Sequence, residues 1–397
     1  MRLISVTKLL FAREYYGDRL RYTRSENRNG AADGIGPVVV WNSTKTCNLR
    51  CQHCYMDSDG GRYDELSTEE AKKFIDDLSE FHVPVLLFSG GEPLIRKDFF
   101  ELASYAGELG IRPTLSTNGT LIDRETARRI KEIGVGYVGI SLDGLFDVND
   151  KFRGVEGAYE RAMRGIENCV AVGQRVGLRF TINRHNFEEL DRIFDFIEEK
   201  QINRVCFYHL VYSGRGKSVE DVTPTETRQA MDIIINRTED FERRGLEKEI
   251  LTVDNHCDGV YLYLRAIKNG DLENAARIKK FIDMNGGNRS GIAFGEVDPI
   301  GNVHPDQFTQ YHTFGNVRAE KFGDIWSRAE HPILKGLKDR KPLLKGRCAK
   351  CKFLDNCNGN FRTRAEARTG DFWQSDPACY LSNEELGMRN EELGIRN

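Results

Sequence analysis

Residues 37–55, PVVVWNSTKTCNLRCQHCY, place three cysteines directly after a short run of β-branched and aromatic residues. The run VVVW is typical of a buried strand, so the cysteines are expected in the loop that follows it. Cys47, Cys51 and Cys54 are separated by three and then two residues. A cubane iron–sulfur cluster takes four ligands, usually thiolates, so three thiolates leave one iron open to an outside ligand. The alternative is a zinc ion completed by His53 or a distant residue, although this spacing is unlike that of common zinc ribbons.

Similar strand-like runs recur along the first half of the chain, with amphipathic stretches between them. One helix is predicted over 67–81, where Ser67 and Glu70 form a capping-box pattern. Apolar strands that alternate with helices predict a parallel sheet covered on both faces. Six such units are too few to close an eight-stranded barrel, so the predicted fold class is α/β, a partial (β/α)6 TIM-like barrel with reactive residues at the carboxyl ends of its strands. The runs are VVVW (38–41), VPVLLFSGG (83–91), RPTLSTNG (112–119), GYVGISLDG (136–144), RVGLRFTIN (175–183) and RVCFYHLVY (204–212).

Changes in composition and hydrophobic patterning along the chain predict five segments. An N-terminal extension (1–34) precedes the partial barrel (35–216), and a charged, helical bridging segment follows (217–290). A small cysteine-rich C-terminal domain is expected at 291–382, and a loose tail at 383–397. The tail repeats a seven-residue unit twice, which is too short to build a coiled coil.

Composition narrows the class of protein. The chain has 397 residues, 39% hydrophobic and 30% charged, with a net charge of −3 and a pI near 6.3. It lacks the positive charge expected of a nucleic-acid-binding protein. The apolar run at the N-terminus is too short, and charged residues follow it too soon, for a signal peptide or a membrane-spanning helix. A cytoplasmic protein is therefore expected.

The ten cysteines then indicate metal or redox chemistry rather than disulfides. Cys169, Cys206 and Cys257 stand alone in apolar or helical surroundings and are interpreted as small buried hydrophobes. Apart from these three and from Cys47, Cys51 and Cys54, the remaining four cysteines form a second group near the C-terminus. Four thiolates can saturate either a structural zinc ion or a second cluster, and spacing alone does not choose between them. This second group is Cys348, Cys351, Cys357 and Cys379.

The CxxxCxxC loop after the first strand resembles the radical SAM superfamily, and the resemblance covers roughly residues 35 to 230. It implies that the open iron binds the amino and carboxylate groups of S-adenosylmethionine (SAM). An electron from the cluster would then break a sulfur–carbon bond and release a 5′-deoxyadenosyl radical. Where the family usually has an aromatic residue before the third cysteine, this chain has His53, whose backbone is expected to meet the adenine.

The resemblance also assigns the remaining SAM contacts to the ends of successive strands. Glycines allow close backbone approach, and Glu92 can accept hydrogen bonds from the methionine ammonium group. Arg179 is the candidate for the SAM carboxylate, which a guanidinium can hold with two hydrogen bonds. No acid–base catalyst is singled out. The assigned residues are Gly90, Gly91, Glu92, Pro93, Ser116, Asn118, Ser141, Asp143 and Arg179.

The second cysteine group resembles the SPASM or twitch extension of radical SAM enzymes. There, CxxCx5C and a late cysteine hold an auxiliary [4Fe–4S] cluster with no free iron, which suits electron transfer or substrate orientation. Two positions depart from the full SPASM pattern, because Asp306 and Phe361 stand where cysteines are expected. We therefore predict two clusters in total, held by seven cysteines.

Longer stretches resemble the haem-biosynthesis subgroup of the superfamily, namely PVVVWNSTKTCNLRCQHCY, VPVLLFSGGEPLIR, FYHLVYSGRG, VDNHCDGVYLYL and GNVHPDQF. They look closest to the 12,18-didecarboxysiroheme deacetylases (AhbC), and next to the haem d1 biosynthesis proteins (NirJ). The deacetylase reading implies removal of two acetate side chains to give iron-coproporphyrin III, with electrons from a donor such as ferredoxin or flavodoxin.

A tetrapyrrole is flat, apolar across its face and rimmed by carboxylates, so its site should offer aromatic rings, arginines and a histidine. The candidate substrate residues are Tyr208, His209, Tyr212, Arg215, His256 and Arg289. Three alternatives remain open at this point. They are a haem d1 enzyme that removes propionates, a SPASM enzyme that modifies peptides, and a zinc-stabilised binding protein without catalytic activity.

Overall fold

One ten-stranded sheet organises the molecule, in the order β1-β8-β7-β6-β5-β4-β3-β2-β9-β10. The structure is a computed structural model, which describes residues 4–11 and 28–388. The strands are β1 (Ile4–Ser5), β2 (Val38–Thr44), β3 (Val85–Gly90), β4 (Arg112–Thr117), β5 (Val138–Ser141), β6 (Val176–Ile182), β7 (Arg204–His209), β8 (Glu249–Val253), β9 (Phe294–Val297) and β10 (Val303–His304).

The strands from β2 to β8 pair in sequence order and all run parallel. The six runs read from the sequence correspond to β2 through β7, so the α/β fold with a parallel sheet is confirmed. β9 adds a further parallel strand on the other side of β2. At the two edges, β1 and β10 pair antiparallel with β8 and β9, and the sheet does not close on itself within the described residues.

Fifteen α-helices accompany these strands in the described part of the chain. The predicted capping box is present at the start of α2, where the Glu70 N–H donates to Ser67 Oγ (3.2 Å) and the Ser67 N–H donates to Glu70 Oε2 (2.8 Å). The helices are α1 (Val6–Phe11), α2 (Thr68–Glu80), α3 (Phe99–Glu108), α4 (Arg124–Glu132), α5 (Phe146–Arg153), α6 (Ala158–Ala171), α7 (Leu190–Glu199), α8 (Pro224–Arg243), α9 (Cys257–Lys268), α10 (Leu272–Asn285), α11 (Phe322–Arg328), α12 (Pro332–Lys338), α13 (Gly346–Ala349), α14 (Leu354–Cys357) and α15 (Arg362–Thr369).

The hydrophobic core lies between the sheet and its covering helices. Trp41 of β2 is fully buried, with its ring centroid 5.7 Å from that of Phe74 in α2 and 5.5 Å from that of Phe88 in β3. Burial of each such side chain stabilises the fold by roughly 1.5–3 kcal/mol. This packing holds β2 in position, and so determines where the cysteine loop that follows β2 begins.

In three of the predicted segments, the observed structure differs from the structure expected from the sequence. The segment 217–290 contains α8, α9 and α10 but also β8, whose five residues EILTV are all buried and extend the parallel sheet. Residues 4–11 belong to the sheet and its cover, because β1 pairs with β8 and the Thr7 hydroxyl donates to the Lys248 carbonyl. The start of the tail packs onto the fold through the buried Leu386 and Met388, while residues 389–397 lie outside the described residues.

The C-terminal region is joined to the barrel through β9 and through the buried side chain of Arg364. Its guanidinium pairs with Asp376 (2.8 Å) and also donates to the carbonyls of Leu210 (3.2 Å) and Asp254 (2.7 Å), which follow β7 and β8. The predicted boundary at residue 291 remains a prediction. Among the described residues, no helix has the length and apolar character needed to cross a membrane.

Candidate active site

The first three cysteines lie in the loop after β2, surrounded by hydrogen-bond donors. N–H groups directed at sulfur stabilise the thiolate form that metals bind, and tune the potential of an iron–sulfur cluster. The arrangement therefore fits a cluster held by three thiolates. The donors are the Leu49 N–H to Cys47 Sγ (3.4 Å), the Ser58 N–H to Cys54 Sγ (3.3 Å) and the Arg153 guanidinium to Cys51 Sγ (3.4 Å).

Burial opposes ionisation of the Cys47 and Cys51 thiols when no metal is bound. It raises the pKa of Cys47 to about 12, and it raises the pKa of Cys51 despite the nearby guanidinium of Arg153. Metal ions displace such protons, so loading of the loop should release protons.

Arg153, the last residue of α5, connects the cysteine loop to β5. It forms an ion pair with the fully buried Asp143, while it also donates to Cys51. The other carboxylate oxygen of Asp143 accepts the Thr181 N–H at 2.7 Å. Sequence reasoning missed Arg153, because nothing in the local pattern of α5 marks its last residue as a neighbour of a cysteine 102 residues earlier.

His53 presents its ring to the same region. The ring stacks on Phe152, with centroids 4.7 Å apart and an interplanar angle of 19°. Its Nε2 lies 3.5 Å from Asp143 Oδ2, but burial lowers the pKa of His53 to about 4. The imidazole is therefore neutral at physiological pH, and its expected backbone contact with adenine remains a prediction.

The GGEP segment follows β3 and is bonded to the start of the cysteine loop. The Gly91 N–H donates to the Thr44 carbonyl (2.7 Å) and the Glu92 N–H donates to the Thr46 carbonyl (2.9 Å). A Cβ atom on Gly91 would lie 2.2 Å from the Thr46 oxygen, and one on Gly90 would lie 2.3 Å from the Thr44 oxygen. Glycine is required at both positions because the two backbones touch. Pro93 is buried at the start of the short 3₁₀ turn that follows.

Glu92 lies fully buried behind this contact. Its carboxylate accepts hydrogen bonds from the Thr117 hydroxyl (2.7 Å), the Asn118 N–H (2.8 Å) and the Leu94 N–H (3.2 Å). Burial nevertheless raises the pKa of Glu92 to about 7. A cation such as an ammonium group would favour the ionised form.

A cleft of about 690 Å³, here called the main cleft, opens above the carboxyl ends of the parallel strands. Parallel α/β sheets and barrels place their ligand sites at this end. Of the residues assigned to SAM, His53, Ser116, Ser141 and Arg179 line the cleft. Tyr55, Tyr208, His209, Asp254, Gln307 and Phe308 also line it.

Arg179 of β6 has hydrogen-bonding capacity left over for a ligand. Its Nη1 donates to Ser116 Oγ (2.7 Å), while its buried Nε has no hydrogen-bond partner. Gly139 makes room for it, since a Cβ there would lie 2.3 Å from Arg179 Nε. A buried guanidinium with a free donor is suited to a carboxylate ligand.

Comparison with known proteins identifies the family. Residues 41–197 match the Radical SAM superfamily. A pre-heme d1 synthase from Dinoroseobacter shibae is 42% identical over 355 residues, 88% of each chain. A Fe-coproporphyrin III synthase from Methanosarcina barkeri is 51% identical over 396 residues, 97% of this chain and 99% of that protein. The chain belongs to the radical SAM superfamily.

The fold agrees with a solved radical SAM structure. SuiB from Streptococcus suis bound to S-adenosylmethionine superposes with a TM-score of 0.70, covering 88% of this chain and 78% of that chain at 18% identity. At that identity the likeness concerns the fold alone. As a radical SAM enzyme, this protein uses SAM and a [4Fe–4S] cluster.

Asn118 and Asp143, like Glu92, were assigned to SAM but have their polar groups engaged within the protein. Asn118 donates to Asn48 Oδ1 (2.9 Å) and accepts the Thr120 N–H (2.9 Å), which ties β4 to the cysteine loop. Asp143 is occupied by Arg153 and Thr181. Both position the radical SAM loop in this structure, and their direct contacts with SAM remain predictions.

The candidate substrate residues divide between the main cleft and other places. Tyr208 and His209 line the cleft, and His209 Nε2 lies 2.9 Å from Asp258 Oδ2. The Tyr212 hydroxyl instead donates to Asp221 (2.8 Å). Neither His256 nor Arg289 is among the residues that line the cleft; the Arg289 guanidinium donates to the Gly30 carbonyl (3.4 Å).

Arg215 contacts the radical SAM loop rather than the main cleft. Its guanidinium donates to the Cys51 carbonyl (2.9 Å) and the Ser58 carbonyl (3.0 Å), and its N–H donates to the Cys54 carbonyl (3.0 Å). Gly214 adopts φ +52° and would clash with the Cys54 oxygen if it carried a Cβ. The Gly-Arg-Gly turn therefore supports the cluster loop, which explains an arginine there without substrate contact.

Asp254 is a polar group of the cleft that was not assigned a role from the sequence. It is 1% exposed, neither carboxylate oxygen has a hydrogen-bond partner, and its φ is +68°. Burial raises the pKa of Asp254 to about 7. Unpaired buried carboxyl groups and strained backbones are concentrated at functional sites. Its position directly after β8 was the available signal, but β8 itself was not recognised.

The second cysteine group lines a separate space of about 700 Å³, here called the C-terminal cavity. Cys348, Cys351, Cys357 and Cys379 surround it, with Cys257 as a fifth cysteine. Its other walls are mainly apolar, with Val260, Phe353, Leu354, Leu381 and Leu386. The donor set fits a second cluster.

Hydrogen bonds adjust the ionisation of two of these cysteines. A hydrogen bond between the Cys257 and Cys379 side chains lowers the pKa of Cys379 and raises that of Cys257. Among residues 4–11 and 28–388, no three His, Cys, Asp or Glu side chains form a ready cage around a single metal ion. The seven cysteine ligands therefore remain a prediction.

The two departures from the SPASM pattern have packing roles. Asp306 Oδ1 accepts N–H bonds from Phe308 and Thr309, both at 3.0 Å, and so shapes a turn. Phe361 is 1% exposed and packs edge-on against Phe308, with centroids 5.6 Å apart. Both side chains support the wall of the main cleft near Phe308.

Proposed function

We propose that this radical SAM enzyme removes two acetate side chains from 12,18-didecarboxysiroheme to give iron-coproporphyrin III. The observation that carries the proposal is the 51% identity, over 97% of this chain, to a protein named Fe-coproporphyrin III synthase. We also place the enzyme in the cytoplasm, where thiols stay reduced.

In this proposal, Cys47, Cys51 and Cys54 hold the cluster that binds SAM. Cluster and SAM together supply a 5′-deoxyadenosyl radical. Arg153 and the N–H groups of the loop stabilise the three thiolates through the contacts described above. Arg215 holds the loop closed from the side of β7 through three backbone carbonyls.

Residues at the strand ends orient SAM. Arg179 and Ser116 lie 2.7 Å apart at the cleft wall, and the unused Nε of Arg179 is the donor for the SAM carboxylate. The Glu92 carboxylate lies behind them and favours a nearby ammonium group, since its pKa near 7 makes ionisation easy to induce. His53 and Ser141 complete the adenosine side of the cleft.

The tetrapyrrole is assigned to the side of the cleft formed by β7, β8 and residues 307–308. Tyr208 and Phe308 offer aromatic surface for a flat macrocycle, and His209 and Asp254 offer polar groups at its edge or its iron.

We assign an auxiliary [4Fe–4S] cluster to the C-terminal cavity, where Cys348, Cys351, Cys357 and Cys379 would hold it and where it would supply one-electron redox chemistry. Asp258 connects the two spaces, because it contacts His209 in the main cleft (2.9 Å) and the Tyr380 hydroxyl (2.8 Å) beside Cys379. Electrons for SAM cleavage would come from a low-potential donor such as ferredoxin or flavodoxin.

A second candidate function is propionate removal in haem d1 biosynthesis. It is supported by the 42% identity to a pre-heme d1 synthase over 88% of each chain. The likeness to SuiB is one of fold and does not argue for a peptide substrate.

The deciding experiment is mass spectrometry of tetrapyrroles after anaerobic incubation of reconstituted enzyme with didecarboxysiroheme, SAM and dithionite. Loss of two acetate groups together with 5′-deoxyadenosine supports the deacetylase. Loss of propionates supports the second candidate. A colourless protein that contains zinc and forms no 5′-deoxyadenosine would overturn both.

A further inference from the structure

The side of the main cleft assigned to the tetrapyrrole lacks the cations that carboxylate arms usually meet. In the part of the chain that the structure describes, Arg153 and Arg179 are the only lysine or arginine residues that line the cleft. Arg153 is paired with Asp143, and Arg179 is the proposed donor to the SAM carboxylate. Neither Arg215 nor Arg289 is among the lining residues. A substrate carboxylate on this side therefore has to be bound by neutral donors, because a buried charge needs hydrogen bonds.

Asp254 has unused hydrogen-bonding capacity on this side of the cleft. It is a lining residue that is 1% exposed, and neither of its carboxylate oxygens has a hydrogen-bond partner. Its backbone adopts φ +68° and is held there by Arg364, whose Nη2 donates to the Asp254 carbonyl at 2.7 Å. Burying a polar group without a partner costs free energy, which a bound ligand can return. The fold therefore holds this carboxyl group in a position that a ligand would make favourable.

The surroundings of Asp254 favour its neutral form. Because neither oxygen accepts a hydrogen bond, the ionised form has no direct support from the protein, and burial raises the pKa of Asp254 to about 7. The charges that act on it come from three other elements: Arg364 of α15 and His209 of β7 favour ionisation, and Asp306 after β10 opposes it. The Arg364 guanidinium is itself paired with Asp376 at 2.8 Å. Below neutral pH, Asp254 therefore keeps its proton, and a protonated carboxyl group is a hydrogen-bond donor.

We propose that Asp254, in its protonated form, donates a hydrogen bond to a carboxylate arm of the substrate and so positions the macrocycle in the main cleft. This role rests on the proposed function, which supplies a substrate rimmed by carboxylates. Hydrogen bonds from O–H groups to carboxylates are short and strong, so one such bond can replace a missing cation. An ionised Asp254 would instead repel the arm.

The role of Asp254 gives substrate binding a pH dependence of defined sign. Ordinary carboxylate arms have a pKa of about 4, so they are ionised throughout the range from about pH 6 to about pH 9. Asp254 holds its proton below its pKa of about 7 and loses it above. The Kd for the substrate should therefore be lowest near pH 6 and rise about tenfold for each pH unit above 7.

The test measures the Kd for didecarboxysiroheme by absorbance titration of the reconstituted full-length enzyme between about pH 6 and about pH 9. SAM is present and reductant is omitted, so that no turnover occurs. Asp254→Asn keeps an N–H donor, suits the positive φ and cannot ionise. It should bind as wild type does at pH 6 and more tightly than wild type at pH 9. Asp254→Gly also suits this backbone but has no donor, and should raise the Kd about 10- to 100-fold at pH 6.

Asp77→Asn is the matched control. Burial also raises the pKa of Asp77, but this residue belongs to α2 and does not line the main cleft. The variant should reproduce the wild-type Kd at every pH.

Two results overturn the role of Asp254 and leave the deacetylase reaction to be judged by its products. One is an unchanged Kd in Asp254→Gly at pH 6, and the other is a Kd that rises with pH equally in wild type and in Asp254→Asn. Where Asp254→Gly gives no soluble protein, the pH comparison with Asp254→Asn decides alone. Wild type that cleaves SAM but binds no didecarboxysiroheme at any pH overturns the role and the proposed function together.

Discussion

The two cysteine groups use the same donor atom in opposite surroundings. Cys47, Cys51 and Cys54 lie beside an open cleft whose walls carry arginine, histidine and hydroxyl groups. The C-terminal cavity is walled largely by apolar side chains and has five thiols. A set of three thiols leaves an iron for a ligand, and a set of four or five closes the cluster off. The number of thiols and their surroundings would therefore together distinguish a reactive cluster from one that only carries electrons.

The largest expected effect separates the two groups directly. Cys54→Ala should abolish 5′-deoxyadenosine formation, because SAM then has no cluster to bind. Cys348→Ala should leave SAM cleavage measurable while product formation fails. Chromatography of 5′-deoxyadenosine and of tetrapyrroles in parallel checks both. Equal loss of SAM cleavage in the two variants would break the comparison.

The next effect concerns the ion pair beneath the first group. Arg153→Met leaves the buried Asp143 carboxylate without its partner and should lower the free energy of unfolding by roughly 3–5 kcal/mol. Thermal or urea denaturation measures this loss. The double variant Arg153→Met/Asp143→Asn removes the orphaned charge and should recover most of it. If the double variant is no more stable than Arg153→Met, the ion pair is not what stabilises the loop.

A pH effect sharpens the comparison on the SAM side. Burial raises the pKa of Glu92 from 4.5 to about 7, so the folded protein binds its proton more tightly than the unfolded chain. Without SAM, this group's stabilising contribution is therefore present below pH 4.5 and is lost as the pH rises to 7, by about 3 kcal/mol. Glu92→Gln, compared with wild type by urea denaturation at several pH values, should lack this component. SAM should reduce it in wild type, since an ammonium favours the carboxylate.

The smallest effect tests a single ligand contact. Arg179→Met should raise the Kd for SAM about 10- to 100-fold, the value of a charged hydrogen bond, without changing iron content. Equilibrium binding of SAM to reconstituted protein measures this. Arg244→Met is the matched control, because Arg244, directly after α8, pairs with Glu198 of α7 and neither residue lines the main cleft. A SAM affinity that is equal in the two variants would remove Arg179 from the site.

The sequence predicted those parts of the molecule that depend on neighbours along the chain. The runs at β2 to β7, the capping box of α2 and the glycines of GGEP each follow from local chemistry. Contacts between distant residues were missed. Arg153 meets Cys51 only after α5 has packed, and the contacts of Arg215 with the Cys51 and Ser58 carbonyls are likewise invisible in sequence. The assignment of Arg215 to substrate stays a prediction.

Short secondary-structure elements were also not predicted from the sequence pattern. β8 has only five residues between two helices, and it was absorbed into a helical segment. Asp254 was missed for the same reason, because it follows directly after β8 and lines the main cleft. Cys257 is buried, as interpreted from the sequence, but the sequence did not show that it also lines the C-terminal cavity with the second cysteine group.

Arg364 has a consequence for how the enzyme unfolds. It reaches from α15 to the carbonyls that follow β7 and β8, so the C-terminal segment closes the rim of the barrel. If that segment detached, a buried guanidinium and Asp376 would both be exposed, and the backbone of Asp254 would lose its anchor. Barrel and C-terminal segment should therefore melt as one cooperative unit, and proteolytic removal of the segment should cost the barrel its substrate-binding shape.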